Sequence, residues 1–267
     1  MHYKQPQTKS KRKSPSTIEK LFNILFMRYD VHMRRGKKHT PKASIIILTR
    51  NEIEGVRTIV PRLPRSSSFE YFAVDYHSTD GTKEFFAKHN IPVIPQQKPG
   101  RGQAFIIGAA HAKNDILVFF SPDGNEDPRD IPLLIDRIDK GATLAIASRF
   151  MKGARNEEDD TVFKFRAWAN RTFTWIVNVL WNGHITDTIN GYRAITKHAL
   201  SQLHLDAKGF CVEYQMTIRA LKRKYSIVEI PTREGNRIGG HTTAYAIPTG
   251  FRFLYYLARE VWIGNRF

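Results

Sequence analysis

The sequence predicts an α/β fold: a mixed, mainly parallel sheet flanked by helices. Three observations point to it. The runs Ile45–Leu48 and Leu117–Phe120 are apolar without polar alternation, as expected of strands covered on both faces. Each strand-like run up to residue 148 is followed by a segment of helical character. Polar turns bearing carboxylates stand where runs end, at 48–52, 75–80 and 121–125, and Arg149 ends the run over 143–148.

In chain order, the first strand begins at Ser44 and gives way to a helix from about Glu52. A second strand, Tyr71–Val74, ends at Asp75. The turn His77-Ser-Thr-Asp80-Gly-Thr82 offers Asp80 or Thr82 as a cap for the next helix. Pro92–Ile94 is a short third strand, and Lys98-Pro-Gly-Arg-Gly102 leads into a helix over 103–112. Gly100, Gly102 and Gly108 suit a tight turn and a helix packed closely on the sheet; no Gly-Lys-Ser/Thr follows to make a phosphate loop. The strand 116–120 precedes Asp123, and Pro128 opens a helix over 129–139. A strand at 143–148 ends at Arg149. Beyond it the pattern changes: a polar loop from Lys152 to Asp160, a long aromatic-rich helix over 162–181, a return strand in Asn190–Ile195, a helix over 211–223 and a strand over 226–230. The Gly-rich, basic segment Arg233–Gly240 follows.

The two ends have a different character. The net charge is +17, and residues 1–42 alone hold 12 basic and two acidic side chains. Residues 1–16 have the composition of a disordered tail. Ser16-Thr-Ile-Glu19 is a capping box starting an amphipathic helix near Thr17, with Ile18, Phe22, Leu25, Phe26, Tyr29 and Met33 on one side. In the tail 251–263, Phe251, Leu254, Tyr255, Leu257, Val261 and Trp262 share one face, and Arg252, Arg259 and Glu260 the other. Aromatics flanked by arginines suit a headgroup boundary. The basic arm suits an anionic surface, either membrane phosphate or nucleic acid, or is a solvated tail. Cys211 is the sole cysteine, which excludes a disulfide framework and a Cys-based zinc site. No apolar core of a secretory signal and no run of about 20 apolar residues is visible, so a cytoplasmic chain with peripheral membrane contact is expected. The expected division is a basic arm with an amphipathic helix over 1–42, a main domain over 43–240 and a membrane-surface segment over 241–267.

Loops that follow parallel strands converge on one sheet edge, where α/β proteins hold ligands. Asp123 leads the candidates there. Asp75 ends a buried strand, whereas Glu52 and Asp80 are equally suited to cap helices. Arg166 and Asn170 stand one helical turn apart and share a face.

These loops, taken in order, resemble the nucleotide-sugar core of family 2 glycosyltransferases with the Rossmann-like GT-A fold, nearest to the polyprenol-phosphate branch that includes dolichol-phosphate mannose synthases. Leu48-Thr-Arg-Asn-Glu52 is similar to that family's P-T-Y-N-E, and Val74–Thr82 to its V-D-D-G-S-x-D-G-T. Asp123 with Pro128-Arg-Asp-Ile131-Pro132 matches Asp-x-Asp and the Pro-x-x-Ile-Pro after it. The resemblance covers 43–240. It implies transfer of a sugar from a GDP- or UDP-linked donor to polyprenyl or dolichyl phosphate, with inversion, at the cytoplasmic face of a membrane. It implies a Mg²⁺ or Mn²⁺ ion on Asp123 and Asn125. It places Leu48, Arg50, Glu52, Asp75, Asp80, Pro122 and Arg237 at the donor nucleotide, and Arg149, Arg166 and Asn170 at the acceptor phosphate. Asp123, Arg149 and Asp187 are then the catalytic candidates. Two positions depart from the pattern: Ser121 stands for the first Asp of Asp-x-Asp, and Tyr76 for the second Asp of the pair at 75–76. The usual Lys after Arg237-Ile-Gly-Gly is Thr242 or Thr243.

The alternative acceptor is a soluble or glycan hydroxyl. That reaction needs a general base, for which Asp187 or Glu213 is the candidate; Asp187 is equally able to cap a turn or pair with Arg193. A nucleic-acid-binding protein would account for the basic arm but not for acidic loops on the sheet edge, so no nucleic-acid partner is expected.

Overall fold

The computed structural model describes residues 42–157, 165–239 and 246–267. The N-terminal helix expected near Thr17, the basic arm, the last three residues of the loop ending at Asp160, and Thr242 and Thr243 lie outside the described residues.

The elements follow one another as β1 (Ala43–Thr49), α1 (Ile53–Ile59), β2 (Phe69–Asp75), α2 (Thr82–Lys88), β3 (Val93–Pro95), α3 (Arg101–His111), β4 (Ile116–Phe120), α4 (Ile131–Asp139) and β5 (Leu144–Ser148). Then come α5 (Phe165–Trp181), β6 (Arg193–Thr196), α6 (Lys197–Gln202), α7 (Cys211–Lys222), β7 (Ile227–Pro231) and α8 (Ala246–Ile263). The seven strands form one sheet in the order β3-β2-β1-β4-β6-β5-β7. Every pairing is parallel except those of β6, which runs antiparallel to both β4 and β5.

The continuous apolar strands are explained by two cores, one on each face of the sheet. Ile46 and Leu48 of β1 join Phe105, Val177, Met216 and Phe253 on one side. Ile45 and Ile47 join Val56, Phe86, Leu134 and Ile135 on the other. In α4 the buried Ile131, Leu134, Ile135 and Ile138 recur at helical spacing, so this helix presents one apolar stripe. A 3₁₀ turn, Pro128–Asp130, precedes it, and the Asp127 side chain caps that turn by accepting from Arg129 N at 3.0 Å. The short helix α6 was not anticipated. Thr196, the last residue of β6, caps it by accepting from Ala199 N at 3.2 Å.

α7 is buried from Cys211 to Ala220 and carries charged groups inward. Glu260 of α8, assigned to a polar outer face by its sequence periodicity, is instead fully buried. It accepts from Arg219 Nε at 2.9 Å and Lys222 Nζ at 2.7 Å, which fastens α8 to α7. Leu257 likewise packs on the core rather than sharing the exposed apolar face. That exposed face consists of Phe251, Leu254, Tyr255, Val261 and Trp262. Arg252 is exposed as expected, and Arg259 pairs with Asp206.

Candidate active site

The parallel strands β1, β2, β4 and β5 all end on the same edge of the sheet, and their loops meet there. Asp75, at the end of β2, is buried. Its carboxylate accepts from Thr49 Oγ1 at 3.1 Å, from Ser78 N at 2.9 Å and from the Ser78 hydroxyl. This carboxylate, marked out for a ligand, thus braces the first loop against the second. Asp80 accepts from Ile53 N at 2.9 Å and Thr82 N at 3.0 Å, and so caps α1 and α2 together. Slight burial pulls its carboxyl up, but these donors outweigh it and hold it below the usual range. Leu48 belongs to the core, and Pro122 is buried with its carbonyl against Gly55, which leaves no space there for a Cβ. Arg50 is exposed, its guanidinium 5.2 Å from the centre of the Tyr76 ring.

A cavity of about 380 Å³ opens beside these loops. Its polar end is lined by Arg101, Ser121, Asp123, Asn125, Glu126 and Arg237. Arg149, Arg166, Asn170, Phe173 and Phe253 line the cavity as well. The sequence candidates Asp123, Asn125, Arg149, Arg166, Asn170 and Arg237 therefore share one space. Leu48, Arg50, Glu52, Asp75, Asp80 and Pro122 stand outside its lining.

The loop after β7 closes the polar end. Gly235 N donates to Asn125 O at 2.9 Å, and Ile238 N to Asp123 O at 2.7 Å. Gly124 takes a φ of +97°, and a Cβ there would stand 2.7 Å from Ile238 Cγ1, so glycine suits both the turn and the closure. Arg237 spans the first and third loops, its Nη2 2.7 Å from Asp123 Oδ2 and its Nη1 3.1 Å from Glu52 Oε1. Burial raises the Glu52 carboxyl above its usual value, against the pull of Arg237.

Hard cations take oxygen ligands, and two are offered here. Asp123 supplies a carboxylate. Asn125 Nδ2 donates to Glu157 Oε2 at 3.2 Å, which leaves Asn125 Oδ1 buried and without a hydrogen-bond partner. An orphaned carbonyl oxygen two residues from a carboxylate fits a metal ligand pair. Among the described residues no cluster of three or more His, Cys, Asp or Glu is arranged to hold a metal unaided. Glu126 accepts from Ser121 N at 2.6 Å, and burial pushes its carboxyl well up.

Arg149 is gripped by Asp187, Nε at 2.7 Å and Nη2 at 3.0 Å from the two carboxylate oxygens. Burial alone would raise the Asp187 carboxyl, but Arg149 and the backbone N–H groups around it hold it below the usual range. The partner of Asp187 is thus Arg149, not Arg193; Arg193 donates instead to the carbonyls of Asn190 and Glu213. Two participants escaped sequence reasoning. Arg101 sits in what reads as a tight Gly-Arg-Gly turn, yet it lines the cavity and pairs with Glu213. Glu234 lines it as well, 3.8 Å from Arg149 Nη1, with its carboxyl raised by burial.

The geometry has counterparts among known proteins. The sequence profile described as glycosyl transferase family 2 matches residues 44–203. Polyprenol monophosphomannose synthase of Mycolicibacterium smegmatis is 30% identical over 209 residues, 72% of this chain and 77% of that protein. Dolichol-phosphate mannosyltransferase of Pyrococcus furiosus is 29% identical over 238 residues, 84% of this chain and 65% of that longer protein. In fold, the chain resembles glucosyl-3-phosphoglycerate synthase from Mycobacterium tuberculosis, crystallised with Mn²⁺, uridine diphosphate and glucosyl-3-phosphoglycerate. The TM-score is 0.63 at 20% identity, over 84% of this chain and 80% of that one. The architecture is the GT-A glycosyltransferase fold, and with a profile match that runs from β1 to β6 and takes in the three acidic loops the chain belongs to glycosyl transferase family 2.

Proposed function

We propose that this protein transfers a sugar from a nucleotide-diphosphate sugar to a polyprenyl phosphate at a membrane surface, with inversion. One observation carries the choice of acceptor: one wall of the cavity is made by α5 and α8, whose outer faces are apolar and aromatic. Phe173 and Phe253 meet edge to face at 5.3 Å beneath that wall. Outside it, Trp168 is 68% exposed, Trp175 64% and Trp262 80%. Indole rings exposed in such numbers suit a bilayer interface, and Arg171 and Arg252 beside them suit its phosphates. The names of the relatives, which include polyprenol- and dolichol-phosphate mannosyltransferases, support the same acceptor. Among the described residues no helix is long and apolar enough to cross a membrane, so this reading has the aromatic face lying on it.

In this reading Asp123 and Asn125 hold a Mg²⁺ or Mn²⁺ ion, which would neutralise the leaving diphosphate. Arg237, freed from Asp123, closes over the donor phosphates. The donor nucleoside lies along the loops that carry Arg50, Glu52, Asp75 and Asp80. Arg149, fixed by Asp187, works with Arg166 and Asn170 to hold the acceptor phosphate; planar guanidinium groups suit phosphate oxygens. A phosphate acceptor is already anionic and needs no base, which agrees with an Asp187 carboxylate wholly engaged by Arg149.

The hydroxyl-acceptor reading rests on Glu213, whose Oε2 is buried and unpartnered while Oε1 accepts from Arg101. The test is to incubate the protein with a panel of GDP- and UDP-sugars and a divalent cation, scoring nucleotide release with and without polyprenyl phosphate. Release that depends on the lipid phosphate and is lowered but not abolished by Glu213→Gln is expected. Release with a sugar acceptor instead, abolished by Glu213→Gln, favours the hydroxyl reading. No release from any donor defeats both.

A further inference from the structure

Arg101 is held from three sides. Its Nε donates to Glu213, and its Nη1 donates to Ser121 Oγ at 3.1 Å. Its Nη2 lies against Gly191, where a Cβ would collide with the guanidinium. Among the described residues Nη2 has no hydrogen-bond partner, and Nη1 keeps a second N–H. The side chain is 18% exposed, and the exposed part lines the cavity beside Asp123. Residues 101, 121, 191 and 213 thus come from four separate elements to fix one cation at the polar end.

Charge at this end sharpens the point. Ser121 brings no carboxylate. Asp123 then faces two guanidinium groups, Arg101 and Arg237. Two guanidinium groups beside the Asp123 carboxylate suit the oxygens of a diphosphate.

We propose that Arg101 is a diphosphate ligand: its guanidinium, anchored on Ser121, donates to the phosphate oxygens of a nucleoside diphosphate and supplies part of the charge a metal ion would otherwise supply alone. This rests on the reading above that the cavity takes a nucleotide-diphosphate sugar. It goes further, in that nucleotide binding survives removal of the divalent cation.

Isothermal titration of the full-length chain with UDP and with GDP, in excess Mg²⁺ and in excess EDTA, tests it. In EDTA the wild type is expected to bind one of the two within about tenfold of its affinity in Mg²⁺. Arg101→Met is expected to lose at least about tenfold in EDTA, the worth of one charge-assisted hydrogen bond. Arg101→Lys should recover part of that loss. Ser121→Asp replaces the hydroxyl that accepts from Arg101 with a carboxylate. It should weaken binding in EDTA by about tenfold and be rescued by Mg²⁺. Wild-type binding that vanishes in EDTA but not in Mg²⁺ overturns this inference alone. So does a Ser121→Asp protein that binds in EDTA as tightly as wild type. Absence of binding in either buffer overturns the nucleotide-sugar reading with it.

Discussion

Arg237 Nη2 and Asp123 Oδ2 stand 2.7 Å apart, so the closing loop is latched onto the carboxylate that a metal ion would need. The other oxygen, Oδ1, accepts from Asn125 N at 3.1 Å. Metal and Arg237 therefore compete for Asp123. Arg237→Ala is expected to tighten Mn²⁺ binding by about threefold or more, as a rival positive charge is removed. The same change should lower turnover at least about tenfold, because the donor loses its closing cation. Mn²⁺ titration followed by electron paramagnetic resonance reads the first effect. An unchanged Mn²⁺ affinity would show that the latch does not compete.

The clasp between Asp187 and Arg149 predicts a particular pH behaviour. Asp187→Asn keeps the shape but releases the charge that fixes the guanidinium, and turnover should fall roughly tenfold through misplacement of Arg149. The acid limb of the pH–rate profile should stay where it is, because a carboxyl held below its usual range and engaged on both oxygens is not a proton acceptor near neutrality. Disappearance of that limb in Asp187→Asn would identify Asp187 as the base after all.

Stability should respond to pH through Asp130. This buried carboxyl, partnered by Thr232 Oγ1 at 2.6 Å, is pushed up to about 6 by burial. Its folded value lies above the unfolded one, so the folded state favours the protonated form. Its contribution is neutral below about pH 4 and turns destabilising as pH rises through 6. At pH 8 Asp130→Asn should raise stability by about 2 kcal/mol, and at pH 4 it should change little. Urea melts at the two pH values measure this; an equal effect at both would rule out the ionisation.

The aromatic face formed by α5 and α8 predicts where the protein touches lipid. Trp168→Glu with Trp262→Glu should weaken binding to anionic vesicles by about tenfold or more, since two interfacial indoles are lost and negative charge is added. Both side chains are exposed, so the melting temperature should move little. Vesicle flotation that is unaffected would place the contact elsewhere.

The succession of elements along the chain was legible wherever the physics is local. Doubly covered strands and the helix cap at Asp80 act over a few residues, and the sequence pattern shows them. What stayed hidden depends on distant partners. Arg101 looks like a turn residue until α7 brings Glu213 beside it, 112 positions away. Glu260 looks like surface charge until Arg219 and Lys222 of α7 neutralise it in the interior. Asp75 looks like a ligand because nothing in its immediate neighbourhood announces that Thr49 and Ser78 will occupy it. Convergence of strand ends was therefore foreseeable, whereas the traffic of charges between elements was not.

The antiparallel strand β6 has a wider consequence. The chain leaves the sheet edge after β5, builds α5, and re-enters as β6 at the strand between β4 and β5. Departure and return thus lie side by side, so the excursion from 149 to 192 begins and ends at adjacent points of the sheet. Such an excursion can be lengthened, shortened or exchanged while the pairing of β1, β2 and β4, which carries the acidic loops, stays as it is. Divergent descendants of one ancestral sheet can in this way inherit a fixed donor half and remodel the recipient half separately, much as a lathe keeps its spindle and changes its chuck.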